Sequence, residues 1–187
     1  MPKQELLEAV VDHLQAHGLG DQSLRAIAEA VGSSHRMLVY HFGSREGLLA
    51  AVVDEVERRE RVATEQAVAG ADPDEALRRL WSALSKPSRA AEERLFYELA
   101  GQAVQGRPGT EALRRRLVDP WLDLGEALGA ELGVAPVEAR TVTRLDVAVI
   151  RGLLLDLLAT GDRRGVHAAL TATSPGAAAA ADRLAGT

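Results

Sequence analysis

The chain of 187 residues contains no cysteine, and aromatic residues make up only 3% of it. Without cysteine there is no disulfide framework, no thiolate zinc site and no cysteine nucleophile. No apolar run approaches the roughly 20 residues that cross a bilayer. The best, Gly152 to Ala159, is interrupted by Asp156. The amino terminus, Met-Pro-Lys-Gln-Glu, enters an amphipathic pattern and does not resemble a signal peptide. A cytoplasmic chain with no membrane partner is therefore expected. What is abundant points one way: 33 Ala and 27 Leu are about a third of the chain. Both are strong helix formers, while strand-favouring β-branched and aromatic residues are few. With 47% hydrophobic and 26% charged residues, an all-α globular protein is the first expectation. A net charge of −5 argues at first sight against nucleic acid as a partner.

The apolar spacing divides the chain into helices. Leu6, Leu7, Val10, Val11 and Leu14 recur at threes and fours, predicting a first helix from Lys3 to Ala16 that ends at Gly18 and Gly20. Ser23 is placed to cap a short second helix carrying Leu24, Ile27, Ala28 and Val31. Gly32 breaks it, and Ser33-Ser34 caps a third with Met37, Leu38, His41 and Phe42. Gly43-Ser44 opens a fourth, from Arg45 to Ala69. Asp72-Pro73-Asp74-Glu75 is a start signal, followed by Leu77, Leu80, Trp81 and Leu84. Further helices are expected over Ser88–Gln105, over Thr110–Leu132 with a kink at Pro120, from Pro136 to Thr160, and over Asp162–Ala172. An alanine-rich tail closes the chain.

The second and third helices, joined by a turn of about four residues, read as a helix-turn-helix. Ala28 is small where the two helices approach, and Gly32 occupies the turn. Ile27, Val31, Leu38 and His41 or Phe42 supply the contacts that fix the angle. In such a motif the second helix enters the major groove while the first crosses the backbone.

The run from Ser23 to Ser34, followed by Leu38-x-Tyr40-His41-Phe42-Gly43-Ser44-Arg45-Glu46-Gly47-Leu48-Leu49, resembles the amino-terminal signature of the TetR family of bacterial transcriptional regulators. The resemblance covers about Leu6 to Leu49. It implies a DNA-binding domain over residues 1–48 and an effector-binding and dimerisation domain over 49–187. It also implies a homodimer on a palindromic double-stranded DNA operator and a small-molecule effector of unknown identity. Family positions that touch DNA map onto Ser34, His35, Arg36, Met37, Tyr40 and His41, with Ser23, Arg25 and Arg45 as phosphate partners. One departure stands out: the family usually has Tyr three residues before the Phe, and here that residue is Val39. Arg36 either pairs bidentately with guanine or meets phosphate alone. His35 either donates to a base or sits at a solvated helix start, and His41 reads as packed rather than base-reading.

Charge distribution weakens the objection from net charge. Residues 1–50 hold four cations against six acids, but three of those cations lie in the recognition segment. Trp81, Phe96, Tyr97 and Trp121 all fall in the middle helices, which in the resembled family surround an effector cavity. With Leu84, Leu99, Leu124 and Arg151 they form the expected effector set, the alternative for each being simple core filling. Asp146 and Gln102 are lesser candidates, and Glu93 and Glu98 read as surface residues. The segment from Leu145 to Leu158 is apolar on nearly every face, so it needs cover both from its own core and from another subunit. Leu145, Val149, Leu153, Leu157, Val166 and Leu170 are the expected dimer contacts.

His13 and His17 share a helix face at zinc-compatible spacing, but lack a third ligand nearby, so no metal is expected. No phosphate loop, H-E-x-x-H or nucleophile elbow is present, so neither a cofactor nor enzymatic chemistry is expected. The rivals to a repressor are an activator of the same fold, or a small-molecule-binding protein or enzyme with a vestigial head.

Overall fold

A computed structural model describes residues 1–71 and 73–173. Ten helices are described: α1 Lys3–His17, α2 Leu24–Ala30, α3 His35–Phe42, α4 Arg45–Val68, α5 Pro73–Leu84, α6 Ala90–Val104, α7 Glu111–Arg116, α8 Asp119–Glu131, α9 Pro136–Thr160 and α10 Arg163–Thr173. No strand occurs among the described residues. The cap read at Asp72, the Leu77 side chain and the tail after Thr173 lie outside what is described.

Packing gathers the chain into two compact units. One holds Met1–Gln66 with Lys86–Arg115; the other holds Ala67–Ser85 with the described residues from Arg116 onward. The division at residue 48 separates the helix-turn-helix from the rest by sequence motif. The packing instead places most of α4, and all of α6, with the head.

In the first unit the α1 stripe is buried as its spacing implies: Leu6, Val10 and Val11 are fully enclosed and Leu14 nearly so. Burying each of these aliphatic side chains stabilises the fold by about 1.5–3 kcal/mol. Ile27 and Ala28 of α2, Leu38 and Phe42 of α3, and Val52, Val53 and Val56 of α4 join the same core. The helix-turn-helix is built locally. Ser23 Oγ accepts from the Ala26 amide and Ser34 Oγ from the Met37 amide, each at 3.2 Å. Each hydroxyl thus satisfies one of the amides a helix start leaves unpaired. Gly32 takes the left-handed conformation with φ of 66°, which side chains with a Cβ rarely adopt. Replacing Ser34 by alanine is expected to cost about 1 kcal/mol, or roughly 2–4 °C in Tm for a chain of this size. An unchanged melting curve would show that the cap contributes nothing.

In the second unit α8 lies against α9 through small residues. A Cβ added at Gly129 would come within 2.7 Å of the Ala139 Cβ, and one at Gly125 would meet the Thr143 side chain. α10 packs on α9, burying Val166 and Leu170, while Ile150, Leu154 and Leu157 are the buried side of α9.

Two local expectations are corrected. The helix read over Thr110–Leu132 is two helices, with Leu117 and Val118 in the break and Pro120 in the first turn of α8. Proline lacks an N–H to donate, so it is tolerated at a helix start rather than in the middle. A 3-10 turn, Pro87–Arg89, precedes α6 where a single helix from Ser88 was expected.

Candidate nucleic-acid interface

The caps on Ser23 and Ser34 fix where α2 and α3 begin, and the buried Ile27, Ala28, Leu38 and Phe42 fix which way each helix faces. The outward face of α3 is then determined. His35, Arg36, Val39 and Tyr40 are exposed, Tyr40 at 78%, while Met37 and His41 are half-buried. Ser23 and Arg25 of α2 are exposed as well. The structure therefore brings His35, Arg36 and Tyr40 onto one solvent-facing surface. His41 is packed, its ring edge-on to Tyr40 at 5.0 Å and to Phe42 at 6.2 Å between centroids. Val39 has 39% exposure, but it offers no hydroxyl at the position where the resembled family has one.

Arg45, the first residue of α4, turns part of its guanidinium inward. Its Nε donates to the Gln22 carbonyl at 3.2 Å and its Nη2 reaches the Gly20 carbonyl at 3.5 Å. One cation was not anticipated from sequence. The Lys3 ammonium stands 5.6 Å from the centroid of the Phe42 ring, beside the end of α3. No local pattern could reveal it, because the approach of α1 to α3 is tertiary.

The remaining expected residues are distributed between the two units. Phe96 and Leu99 are core residues of the first unit, where Tyr97 is half-buried and edge-on to Phe96 at 5.6 Å. In the second unit Trp81 and Leu84 are buried, at 7% and 6% exposure, whereas Trp121, Leu124 and Arg151 are half-buried. The Arg151 guanidinium lies 5.7 Å from the Trp121 ring centroid. Of the expected dimer contacts, Leu157, Val166 and Leu170 are enclosed by the chain itself, Val149 and Leu153 are half-buried, and Leu145 is 52% exposed. The open side of α9 instead carries Leu145, Ala148, Gly152, Leu155 and Ala159. His13 and His17 stack at 4.6 Å; His13 Nε2 pairs with Gln22 Oε1 and His17 Nδ1 with the His13 carbonyl.

Residues 6–52 match the family model described as bacterial regulatory proteins, tetR family. Among curated proteins, the HTH-type transcriptional regulatory protein RaaS of Mycobacterium tuberculosis is 42% identical over 66 residues, which are 35% of this chain and 31% of that protein. The match therefore spans about a third of that relative's length. The HTH-type transcriptional regulator BetI of Stenotrophomonas maltophilia is 27% identical, with 59% of this chain and 71% of that protein covered. A transcriptional regulator from Rhodococcus has the same fold, with a TM-score of 0.79, 22% identity, and 94% and 95% of the two chains covered. Residues 6–52 thus carry the amino-terminal domain of the TetR family of bacterial regulatory proteins.

In this chain the electrostatics beneath the TetR-type head are set by α4 and α6. Glu55 is buried and accepts from Arg58 at 2.8 and 2.9 Å and from Arg59 at 2.8 Å. The Arg58 hydrogen bond, reinforced by Arg59, outweighs desolvation and holds the carboxyl down at about 2. A carboxyl depressed on folding stabilises the native state above its unfolded pKa, and that contribution is lost as pH falls through the folded value. Glu55→Gln is therefore expected to be less stable than wild type at neutral pH. The difference should shrink as pH falls from about 4.5 towards 2, and urea titrations across that window check it. A difference that grows on acidification would contradict the assignment.

Glu93 was expected at the surface and is instead 1% exposed, with the Arg89 guanidinium 3.6 Å away. Its neighbour Glu92 lies 3.4 Å from the same group. Burial pushes the Glu92 carboxyl above the ordinary range despite Arg89. Glu98, also expected at the surface, is half-buried and accepts from backbone amides of the loop after α1. The pairing of Arg89 with Glu92 and Glu93 is local, three and four residues away. The burial of Glu93 and the partners of Glu98 carry no signal in the surrounding sequence, since packing between helices fixes them.

Proposed function

We propose that this TetR-family regulator acts as a homodimeric, effector-responsive repressor on a near-palindromic double-stranded operator. The observation that carries the reading is the outward face of α3, where His35, Arg36 and Tyr40 stand together on a helix capped by Ser34. Arg36 reads guanine, because its fork matches O6 and N7 in the major groove. His35 and Tyr40 flank it, Met37 and Ser34 lie at the helix start, and His41 supports the surface from within. Ser23, Arg25, Arg45 and Lys3 serve phosphate, which sets orientation and adds affinity without sequence information.

A second copy is supported by the open side of α9. Leu145, Ala148, Gly152, Leu155 and Ala159 recur at threes and fours, the spacing of one continuous helix stripe. Leu145 and Leu155 are each 52% exposed, and a Cβ added at Gly152 would meet nothing within 4 Å. Small residues between two large ones allow close approach of an identical helix across a two-fold axis. Val149 and Leu153 border the stripe. Two heads then meet half-sites whose centres are about 34–36 Å apart, or a multiple of that.

The effector is held in the second unit, where the half-buried Trp121, Leu124 and Arg151 combine an aromatic face, an apolar wall and a cation. Trp81 and Leu84 support that unit from within, whereas Phe96, Leu99 and Tyr97 serve the core of the first. Ligand binding releases DNA by favouring a head geometry that fits the operator poorly. The protein works in the cytoplasm and carries out no chemistry of its own.

A mobility shift on the DNA flanking the gene, repeated with candidate small molecules, tests the reading. Sequence-selective retardation relieved by a ligand supports it, and retardation equal on scrambled DNA contradicts it. Affinity should also fall with salt by a slope of roughly −0.9 for each phosphate neutralised.

A further inference from the structure

The loop between α1 and α2 is gripped from two sides. On one side both carboxylate oxygens of Glu98, in α6, accept from successive backbone amides, Oε2 from Leu19 and Oε1 from Gly20, each at 2.8 Å. The partners are 79 and 78 residues apart in sequence. On the other side Arg45, the first residue of α4, holds the carbonyls of Gln22 and Gly20. The loop is braced internally as well, with Gln22 Nε2 donating to the Gly18 carbonyl at 2.8 Å and Gln22 Oε1 paired with His13. Gly18 and Gly20 both have positive φ, and the loop turns the Leu19 and Gly20 amides towards one anion. Such successive N–H groups form an anion-holding concavity, and the hydrogen bonds are charge-assisted, hence short and stiff.

The loop runs straight into Ser23, the cap of α2, and α2 packs on the recognition helix α3. A displacement of α6 along its axis would pull both amides with it. The loop would transmit that pull to the start of α2 on one side and, through Arg45, to the start of α4 on the other. A side chain that only filled space would need neither two charge-assisted bonds nor their placement at a segment tied to α6, α2 and α4 together.

We propose that Glu98 is a positioning residue for DNA binding: its bidentate grip on the Leu19 and Gly20 amides couples α6 to the angle of the helix-turn-helix. Coupling of this kind is reciprocal, so DNA bound at α3 must be felt at α6. That consequence is testable without knowing the effector, and it rests on the DNA-binding reading above.

The probe is the duplex that the full-length protein selects from a random-sequence library, and the readout is amide hydrogen exchange with and without it. In the wild type, duplex binding should slow exchange at Leu19 and Gly20 and along α6 around Glu98, as well as in α3. In Glu98→Gln, which keeps the shape but places an amide donor against a backbone donor, α3 should still be protected while the response in α6 disappears. Duplex affinity should fall roughly 10-fold, the equivalent of one charge-assisted bond, with the slope against salt unchanged because every phosphate partner is retained. Glu98→Asp, which retains the charge with a shorter reach, should fall between the two. Wild-type α3 protection without any α6 response would overturn the coupling while leaving the DNA-binding reading intact, and needs no variant to fold. An α6 response undiminished in Glu98→Gln would overturn it equally. Failure of the wild type to select any duplex would overturn the functional reading and this one with it.

Discussion

Replacing Arg36 by alanine is expected to weaken binding to the selected operator by about 1–3 kcal/mol for each head, and so by roughly 30-fold to 10⁴-fold for a dimer. The side chain is exposed on the outer face of α3, so its removal leaves the core untouched and melting should be unaffected. The loss should concentrate at one base pair in each half-site, because a guanidinium paired with O6 and N7 discriminates guanine from the other bases. A titration against single-base operator variants makes the distinction. If Arg36 met phosphate alone, affinity would fall about equally on operator and on scrambled DNA, and the slope against log salt would flatten by about 1 for each phosphate no longer neutralised. Equal loss on both sequences would therefore remove Arg36 from the base-reading role. The same titration on Tyr40→Phe tests whether this hydroxyl, on a residue 78% exposed, meets phosphate.

A comparable loss is expected from Leu155→Arg on the open side of α9. Leu155 is 52% exposed and lies one turn from Gly152, so the chain itself gains little from it. Across a two-fold axis the substitution would bring two like charges together in an apolar setting, where neither has a partner. Sedimentation at micromolar concentration should shift from dimer to monomer. Operator affinity should fall by roughly 10²–10⁴-fold, the gain that linking two binding modules gives over one. The single-head affinity for a half-site should survive, since α3 is unaltered. A wild type that sediments as a monomer, or a variant that remains a dimer, would dismiss α9 as the interface. By contrast Leu157→Ala, at 9% exposure in the chain's own core, should lower stability before it touches assembly.

The difference between Leu155 and Leu157 shows where sequence reasoning stopped. The segment from Leu145 to Leu158 is apolar almost all round, so its pattern says that two sides need cover without saying which side meets which neighbour. Only the packing of α10 on α9, burying Val166 and Leu170, assigns one face to the chain. The head was far more legible. Ser23, Ser34 and Gly32 act within a turn of their own positions, through an amide three residues away or a local φ, so their roles follow from neighbours in sequence. Pro120 marks a disruption that the sequence shows, but it starts a helix rather than kinking one, because whether a helix bends or ends there depends on what packs against it.

What the sequence determined by itself was therefore the helical class, the helix-turn-helix with its caps, and the TetR-type amino-terminal domain. Each depends on periodicity, on capping hydroxyls or on a motif confined to about a quarter of the chain. What only the tertiary structure decided was which charges meet across long stretches of sequence. Glu98 is the clearest example. In a solvated helix pattern it is one more surface acid, yet the approach of α6 to α1 sets it against two backbone amides nearly eighty residues away. Local periodicity records which face of a helix is apolar. It carries no information on which distant loop a charged side chain will meet, because that meeting is set by the packing of whole helices.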